Sequence, residues 1–305
     1  MYIGRFAPTP SGPLHFGSIV TALASYLDAK HNKGKWKIRI DDIDSPRILK
    51  GAELSILKSL ESLSLFWDGK ISRQSSNIKE YDQNFEILYK KNLTYNCHCS
   101  RKKIATLNSS NFNEPVYNNQ CRDMKYASSN STAVRLISNY ESTNFIDRVQ
   151  GLQSQKIKNL IGDFLIKRSD QLYAYQLAVV IDDELQSVNN IVRGADLLSS
   201  TIKQCYINNL LNFPEKTYTH IPIATLNYQK LSKGNGDKLK TVNLSSILIE
   251  GLKFLNQKIH KNMDDASTEE ILLYASENWD IKSLKQTHYI ELSSNQRLIV
   301  DNAQT

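Results

Sequence analysis

The chain has 305 residues, 40% hydrophobic and 23% charged, an ordinary globular composition with room for one large core and a smaller appendage. Its 38 Lys and Arg against 31 Asp and Glu give a net charge of +7 and a pI near 9.0; this favours a polyanionic partner and fits a basic solvated surface equally well. The absence of five like charges in a row, of a bilayer-length apolar stretch and of a signal-peptide pattern argues against a charged tail, a membrane protein and an exported one, so a cytoplasmic location is expected.

In chain order, residues 2–6 read as a strand and 18–30 as a helix. A second strand, 35–40, alternates Trp36, Ile38 and Ile40 with Lys37 and Arg39. It runs into the acidic cluster Asp41, Asp42, Asp44, at the strand end where open α/β sheets place ligands. Helices are predicted over 52–64, on the spacing of Leu54, Leu57, Leu60 and Leu63, and over 78–91. The Asn- and Ser-rich stretch 108–131 reads as an irregular insertion, followed by strands at 133–136, 145–149 and 164–167. Residues 173–181 carry an apolar run and are expected to be buried. The segment 191–193, a helix over 198–211 and the segment 218–224 restore strand–helix alternation, the pattern of an α/β protein with a parallel sheet. Helical patterns around 247–255 and 268–278 close the chain.

Between the first strand and helix lies Ala7-Pro8-Thr9-Pro10-Ser11-Gly12-Pro13-Leu14-His15-Phe16-Gly17-Ser18. Prolines stiffen it, Gly12 permits a tight turn, and Gly17 lets backbone approach a phosphate at a helix N-terminus, with His15 as an added donor. Taken alone, such a loop is usually a turn and its histidine a satisfied polar group. Far downstream, Lys230-Leu231-Ser232-Lys233 precedes the flexible Gly234-Asn235-Gly236. Paired lysines on a glycine-flanked loop can close over a triphosphate and stabilise the charge that develops on it.

His15-Phe16-Gly17-Ser18 and Lys230-Leu231-Ser232-Lys233-Gly234 resemble the HIGH and KMSKS motifs of class I aminoacyl-tRNA synthetases. The stretches 4–12, 39–44 and 191–196 (Ile-Val-Arg-Gly-Ala-Asp) resemble the glutamyl and glutaminyl branch of that class, and the resemblance covers about residues 2–240. It implies a Rossmann-like parallel-sheet catalytic domain split into 1–92 and 171–238, an inserted zinc-binding, acceptor-side part at 93–170, and a helical C-terminal region at 239–305. It implies ATP binding by Pro8, Thr9, His15, Gly17, Ser18, Lys230, Ser232 and Lys233, with His15, Gly17 and Lys233 catalytic and magnesium carried in with ATP.

L-Glutamate has two carboxylates and one ammonium, so its pocket needs two cationic readers and an anion. The resemblance implies Arg5, Phe6, Ala7, Pro8, Thr9, Asp41, Tyr175 and Arg193, with Asp41 where the family usually has a glutamate facing the ammonium. Three of them have bland alternatives: Arg5 as a strand-surface cation, Tyr175 as a core aromatic, Arg193 as a partner of Asp182 or Asp196.

Cys97, Cys99 and Cys121 fall close together while Cys205 stands alone, which in a reducing compartment reads as zinc rather than a disulfide framework. The resemblance implies a structural zinc on Cys97, Cys99, Tyr117 and Cys121, with His98 the rival for the fourth position. Little chain follows Lys233 before residue 305, too little for the usual anticodon-binding domain. That shortness and the Cys-x-Cys insertion resemble the branch that esterifies glutamate to the queuosine base at the wobble position of tRNA(Asp). A monomer is expected. The alternatives are a truncated enzyme charging the tRNA 3′ end and a non-catalytic tRNA-binding derivative.

Overall fold

The structure, a computed structural model, describes residues 1–106, 117–124, 126, 132–138, 142–156, 162–231, 238–239, 243–260, 262–297 and 299–301. The elements of the first half are β1 (Ile3–Phe6), α1 (Phe16–His31), β2 (Lys35–Ile40), α2 (Ala52–Ser62), β3 (Ser72–Arg73), α3 (Ile78–Lys90), β4 (Thr94–Cys97), α4 (Arg101–Thr106), β5 (Ala133–Leu136), β6 (Ser142–Asp147) and β7 (Gly151–Lys156). There follow β8 (Phe164–Lys167), α5 (Tyr175–Leu185), β9 (Asn190–Gly194), α6 (Leu198–Leu210), β10 (Thr217–Ile221), β11 (Ile223–Leu226), β12 (Gln229–Lys230), β13 (Lys238–Leu239), α7 (Leu244–Phe254), α8 (Thr268–Glu277), β14 (Tyr289–Glu291), α9 (Ser294–Arg297) and β15 (Val300–Asp301).

Strand β2 pairs in parallel with β1 on one side and β3 on the other. Across the other edge of β1, the Asn189 N–H donates to the Ile3 carbonyl at 3.0 Å, and the Ile3 N–H donates to Asn189 Oδ1 at 2.9 Å. This seam brings β9 alongside β1, and β9 pairs in parallel with β10. The spatial order β3-β2-β1-β9-β10 is that of a doubly wound sheet, whose ligands sit outside the carboxyl ends of the strands at the point where the order reverses. At the far edge β6 runs parallel to β10 and turns back as β7. Strands β4, β5 and β8 form a separate antiparallel sheet.

Helix α1 is apolar on most sides because it is sandwiched. Phe16, Ile19, Val20, Leu23 and Leu27 are buried, and the small residues Ala22, Ala24 and Ala29 let neighbours close in. Phe16 meets Phe254 of α7 edge-on at 6.1 Å, and Trp279 beyond α8 donates from Nε1 to Asp28 Oδ1 at 3.0 Å. Helix α8 is started by a capping box in which Ser267 and Glu270 satisfy each other's backbone N–H groups. The C-terminal region also supplies strand: β14 pairs in parallel with β11, which the helical patterns do not announce.

In α2 the buried stripe differs from the expected leucine series. Ile56 and Leu60 are buried, as is Leu63 just beyond the helix, while Leu54 is 57% exposed, because two positions along a 3.6-residue period lie on opposite faces. The apolar run after residue 173 forms helix α5, with Leu177 to Asp183 buried throughout. Residues 145–149, expected as one strand, end as strand at Asp147; Val149 belongs to the turn of the β6–β7 hairpin. Most of the stretch 108–131 lies outside the described residues. Among those described, no helix is long and apolar enough to cross a membrane.

Candidate active site and metal centre

Arg5, Asp41, Arg193 and His220 all stand at or just past the carboxyl ends of parallel strands β1, β2, β9 and β10. The loop after β1 is tied to the end of β2 by the Asp41 N–H donating to the Pro8 carbonyl at 3.1 Å. Thr9 accepts from the Ser11 N–H at 2.9 Å, and Gly12 takes φ +141°, a conformation that favours glycine. The Phe6 side chain lies in the core, stacked on Trp36 at 6.4 Å, so only its backbone is offered at the strand end. Ala7 is half-buried.

His15 is the N-cap of α1; its Nδ1 accepts from the Ser18 N–H at 3.3 Å, and Ser18 Oγ stands 3.0 Å from Nε2. A Cβ at Gly17 would sit 3.3 Å from His15 Cε1 and Nδ1 and 3.7 Å from the Ala224 Cβ. Ala224 accepts from the Leu231 N–H at 3.2 Å, and Leu231 is buried in the same core as Leu14 and Phe16. The start of α1 and the chain at Leu231 are therefore adjacent. Lys230 forms an ion pair with Asp196, in the turn after β9. Ser232 and Lys233 lie outside the described residues. Gly17→Ala is expected to leave the melting temperature unchanged or slightly raised, since alanine favours helix by up to ~1 kcal/mol. On the expected role of His15 and Gly17 at the ATP phosphates, pyrophosphate exchange should fall more than about tenfold as the methyl group moves the imidazole. An enzyme of unchanged activity would remove the close approach at Gly17 from the mechanism.

The acidic and basic residues at the strand ends form one buried network. Arg5, 3% exposed, donates from Nε and Nη2 to the two oxygens of Asp183 at 3.1 and 3.2 Å. Arg39 donates from Nη1 to Asp183 Oδ1 and from Nε to Asp41 Oδ1, both at 2.6 Å. Asp182 accepts from Gln74, Asn77 and Tyr81 at 2.7 to 2.8 Å. Arg5 is thus no surface cation, and the Asp41 carboxylate already holds Arg39. Burial opposes the charge on Asp183, but Arg5 and Arg39 overcome it and hold the carboxyl at about 2.

Arg193, 4% exposed, pairs with neither Asp182 nor Asp196. It donates from Nη2 to Thr201 Oγ1 at 2.7 Å and Gln204 Oε1 at 2.6 Å, and from Nε to His220 Nε2 at 3.1 Å. Its Nη1 is buried with no hydrogen-bond partner among the described residues. Gln204 in turn donates to Gln176 at 3.0 Å, beside Tyr175 at the start of α5. Tyr175 is 37% exposed, so it is not a core aromatic. The sequence reading did not single out Asp147, Asp183, Thr201, Gln204 or His220; Asp182-Asp183, carboxylates closing an apolar run, was the signal available.

The ligand atoms of Cys97, Cys99 and Cys121 lie within 4.8 Å of one another and can hold a metal ion. The Cys99 and Cys121 sulfurs are 3.4 Å apart, and the Tyr117 hydroxyl stands 3.5 Å from the sulfurs of Cys97 and Cys99. A tetrahedral zinc–thiolate site has sulfur separations of roughly 3.8 Å, so this donor set fits after sulfur shifts of up to about an ångström. Arg135 donates to Cys97 Sγ at 3.2 Å with its guanidinium 3.7 Å from the Tyr117 ring centre, which offsets the charge of clustered thiolates. His98 instead stacks edge-on against Tyr126 at 4.6 Å.

Two surface clefts are also present, the second reaching Tyr218, which stacks on His220. One of about 470 Å³ is lined by Ile19, Leu54, Lys58 and Leu244, and one of about 490 Å³ by Ile146, Leu152, Cys205 and Tyr218. Neither contains a predicted ATP- or glutamate-binding residue.

Residues 3–280 match the family described as tRNA synthetases class I (E and Q), catalytic domain. The chain is 42% identical to the Glutamyl-Q tRNA(Asp) synthetase of Pseudomonas fluorescens, over 94% of each chain. It is 40% identical to the protein of the same name in Escherichia coli, over 94% of this chain and 91% of that one. A crystal structure of glutamate-tRNA synthetase from Elizabethkingia anophelis superposes with a TM-score of 0.78 over 97% of this chain and 68% of that one, at 20% identity, which speaks for the fold alone. With the doubly wound sheet and the relatives in agreement, the chain belongs to the class I glutamyl- and glutaminyl-tRNA synthetase family, whose members are ATP-dependent ligases.

Proposed function

We propose that this chain activates L-glutamate with ATP, without tRNA, and transfers it to the queuosine base at the wobble position of tRNA(Asp). The observation that carries the glutamate half is the buried Arg193, its Nη1 unmet among the described residues at the end of β9, a cation prepared for a carboxylate. Support for the acceptor comes from the names of relatives that are 40–42% identical over almost their whole length.

In the first step the glutamate α-carboxylate attacks the ATP α-phosphorus and pyrophosphate leaves; in the second an acceptor hydroxyl attacks the acyl carbon and AMP leaves. No protein nucleophile is needed. His15 and the backbone at Gly17 meet the phosphates, Lys233 neutralises charge as pyrophosphate departs, and magnesium arrives with ATP. Arg193, Tyr175 and Arg5 surround the amino acid, with Asp41 on its ammonium side.

Three measurements test this. Glutamate-dependent ATP–pyrophosphate exchange should proceed without tRNA. Labelled glutamate should pass to tRNA(Asp) carrying queuosine and not to the same tRNA lacking it. The ester should survive removal of the terminal adenosine; loss of label at that step would establish 3′-end charging instead.

We read the thiol cluster as a structural zinc site on Cys97, Cys99, Tyr117 and Cys121, closed and without an open coordination position. Freshly reduced protein is expected to carry about one equivalent of zinc, and Cys99→Ser to lose most of it along with stability of the β4–β5–β8 sheet. Metal analysis showing under half an equivalent in the parent protein would exclude the site.

A further inference from the structure

The guanidinium of Arg193 is held from behind by a relay across two strands. Its Nε always carries hydrogen, so the His220 Nε2 it meets at 3.1 Å must offer a lone pair. The ring proton then sits on Nδ1, where it is donated to Asp147 Oδ2 at 2.6 Å; this tautomer follows from the partners on both sides. Asp147 is itself fixed by the N–H groups of Val149 and Gln150, at 3.0 and 2.8 Å, and of His220. Arg193, His220 and Asp147 are all buried. Thr201 and Gln204 take Nη2, leaving Nη1 as the unmet nitrogen.

We propose that Asp147 and His220 are a positioning pair for the amino-acid substrate: Asp147 selects the imidazole tautomer, and His220 orients Arg193 so that Nη1 faces a substrate carboxylate. The inference rests on the reading of Arg193 as a glutamate ligand and goes beyond it, since neither Asp147 nor His220 touches the substrate. Specificity follows from the geometry. With Nε and Nη2 fixed, the guanidinium cannot rotate to suit a differently placed group, so an amide in place of the carboxylate loses the charge-assisted bond without a compensating shift.

The ionisable groups facing the ring are Asp147 on β6, Arg193 on β9, Asp196 in the turn after it, and Tyr218 stacked 6.3 Å away on its own strand, while α6 presents the uncharged Thr201. Burial, opposed by Asp147, pushes the imidazole down to about 4, so the ring is neutral at physiological pH. Protonation would put an N–H on both nitrogens and turn one of them against the Arg193 Nε–H.

The test is steady-state pyrophosphate exchange on the full chain with His220→Leu, His220→Gln, Asp147→Asn and, as a separate control, Arg193→Ala. His220→Leu removes the acceptor and is expected to raise the glutamate KM at least about tenfold while the ATP KM changes less than about twofold, the scale of one misplaced charged hydrogen bond. His220→Gln keeps an oxygen able to accept from Nε and should recover most of that loss. Folded His220→Leu with an unchanged glutamate KM would overturn the proposal, as would equal losses in both variants, which mark a packing role. If His220→Leu does not fold, Asp147→Asn decides. Its glutamate KM should rise at least about threefold at constant ATP KM, and no rise overturns the proposal. An Arg193→Ala enzyme with normal glutamate KM would refute the pocket itself; a raised KM there with normal His220 variants would refute only the relay.

Discussion

Arg193→Ala is expected to raise the glutamate KM in pyrophosphate exchange on the order of 100-fold while leaving the ATP KM nearly unchanged. Arg193 is 4% exposed and keeps one nitrogen unpaired among the described residues. A substrate carboxylate buried against it would be left uncompensated in the variant, a loss of about 2–5 kcal/mol for truncating one member of a buried hydrogen-bonded charge pair. At about 1.4 kcal/mol per decade, about 2.8 kcal/mol, inside that range, is two orders of magnitude. Arg193→Lys should recover little, because an ammonium cannot hold Thr201, Gln204 and His220 at fixed angles while also meeting the substrate. Wild-type kinetics in either variant would show that glutamate binds elsewhere.

The largest effect on stability is expected from Asp183→Ala. This carboxylate closes the buried lattice between β1, β2 and α5 by accepting from both Arg5 and Arg39. Removing it leaves two buried guanidinium groups underpaired, a cost of about 3–5 kcal/mol. Asp183→Asn keeps the shape and some acceptor capacity and should cost less, with the order wild type, Asn, Ala in denaturant melts. Because the folded carboxyl is held at about 2 against an ordinary 3.8, its stabilisation is present above pH 3.8 and disappears as pH falls towards 2. The amount lost is about 2 kcal/mol at 1.36 kcal/mol per unit. A variant whose acid unfolding matches the parent's would contradict the assignment.

Much of this architecture was readable in advance for a physical reason: period-2 and period-3.6 patterns survive wherever one face of an element is buried. The span 35–40 is a strand to the residue because Trp36, Ile38 and Ile40 alternate into the core. The strand pattern of β14 was illegible because Tyr289, Ile290 and Glu291 are exposed or half-buried and carry no alternation. The site divides in the same way. Arg5, Asp41 and Arg193 could be proposed because they sit in contiguous motifs, and Tyr175 from the resemblance alone. Their supports could not, because Asp147, Thr201 and Gln204 converge on one guanidinium or its histidine from β6 and α6, and only the folded chain juxtaposes them. Asp41 shows the opposite limit: its position was legible, but its commitment to Arg39 was not.

The seam at Gly17, Ala224 and Leu231 also has a consequence for how the protein is made. The floor beneath Lys230 is completed by Glu291, which accepts from Thr225 Oγ1 at 2.8 Å and from the Asn227 and Tyr228 N–H groups at 2.7 and 3.1 Å. Partners so distant in sequence close late, after the entropy of long loops has been overcome. A nascent chain on the ribosome therefore has its first histidine turn long before it has anything to hold a nucleotide against. At the ATP site proposed above, the nucleotide gives no shelter to the growing polypeptide and stabilises only the folded chain, by mass action on the native state.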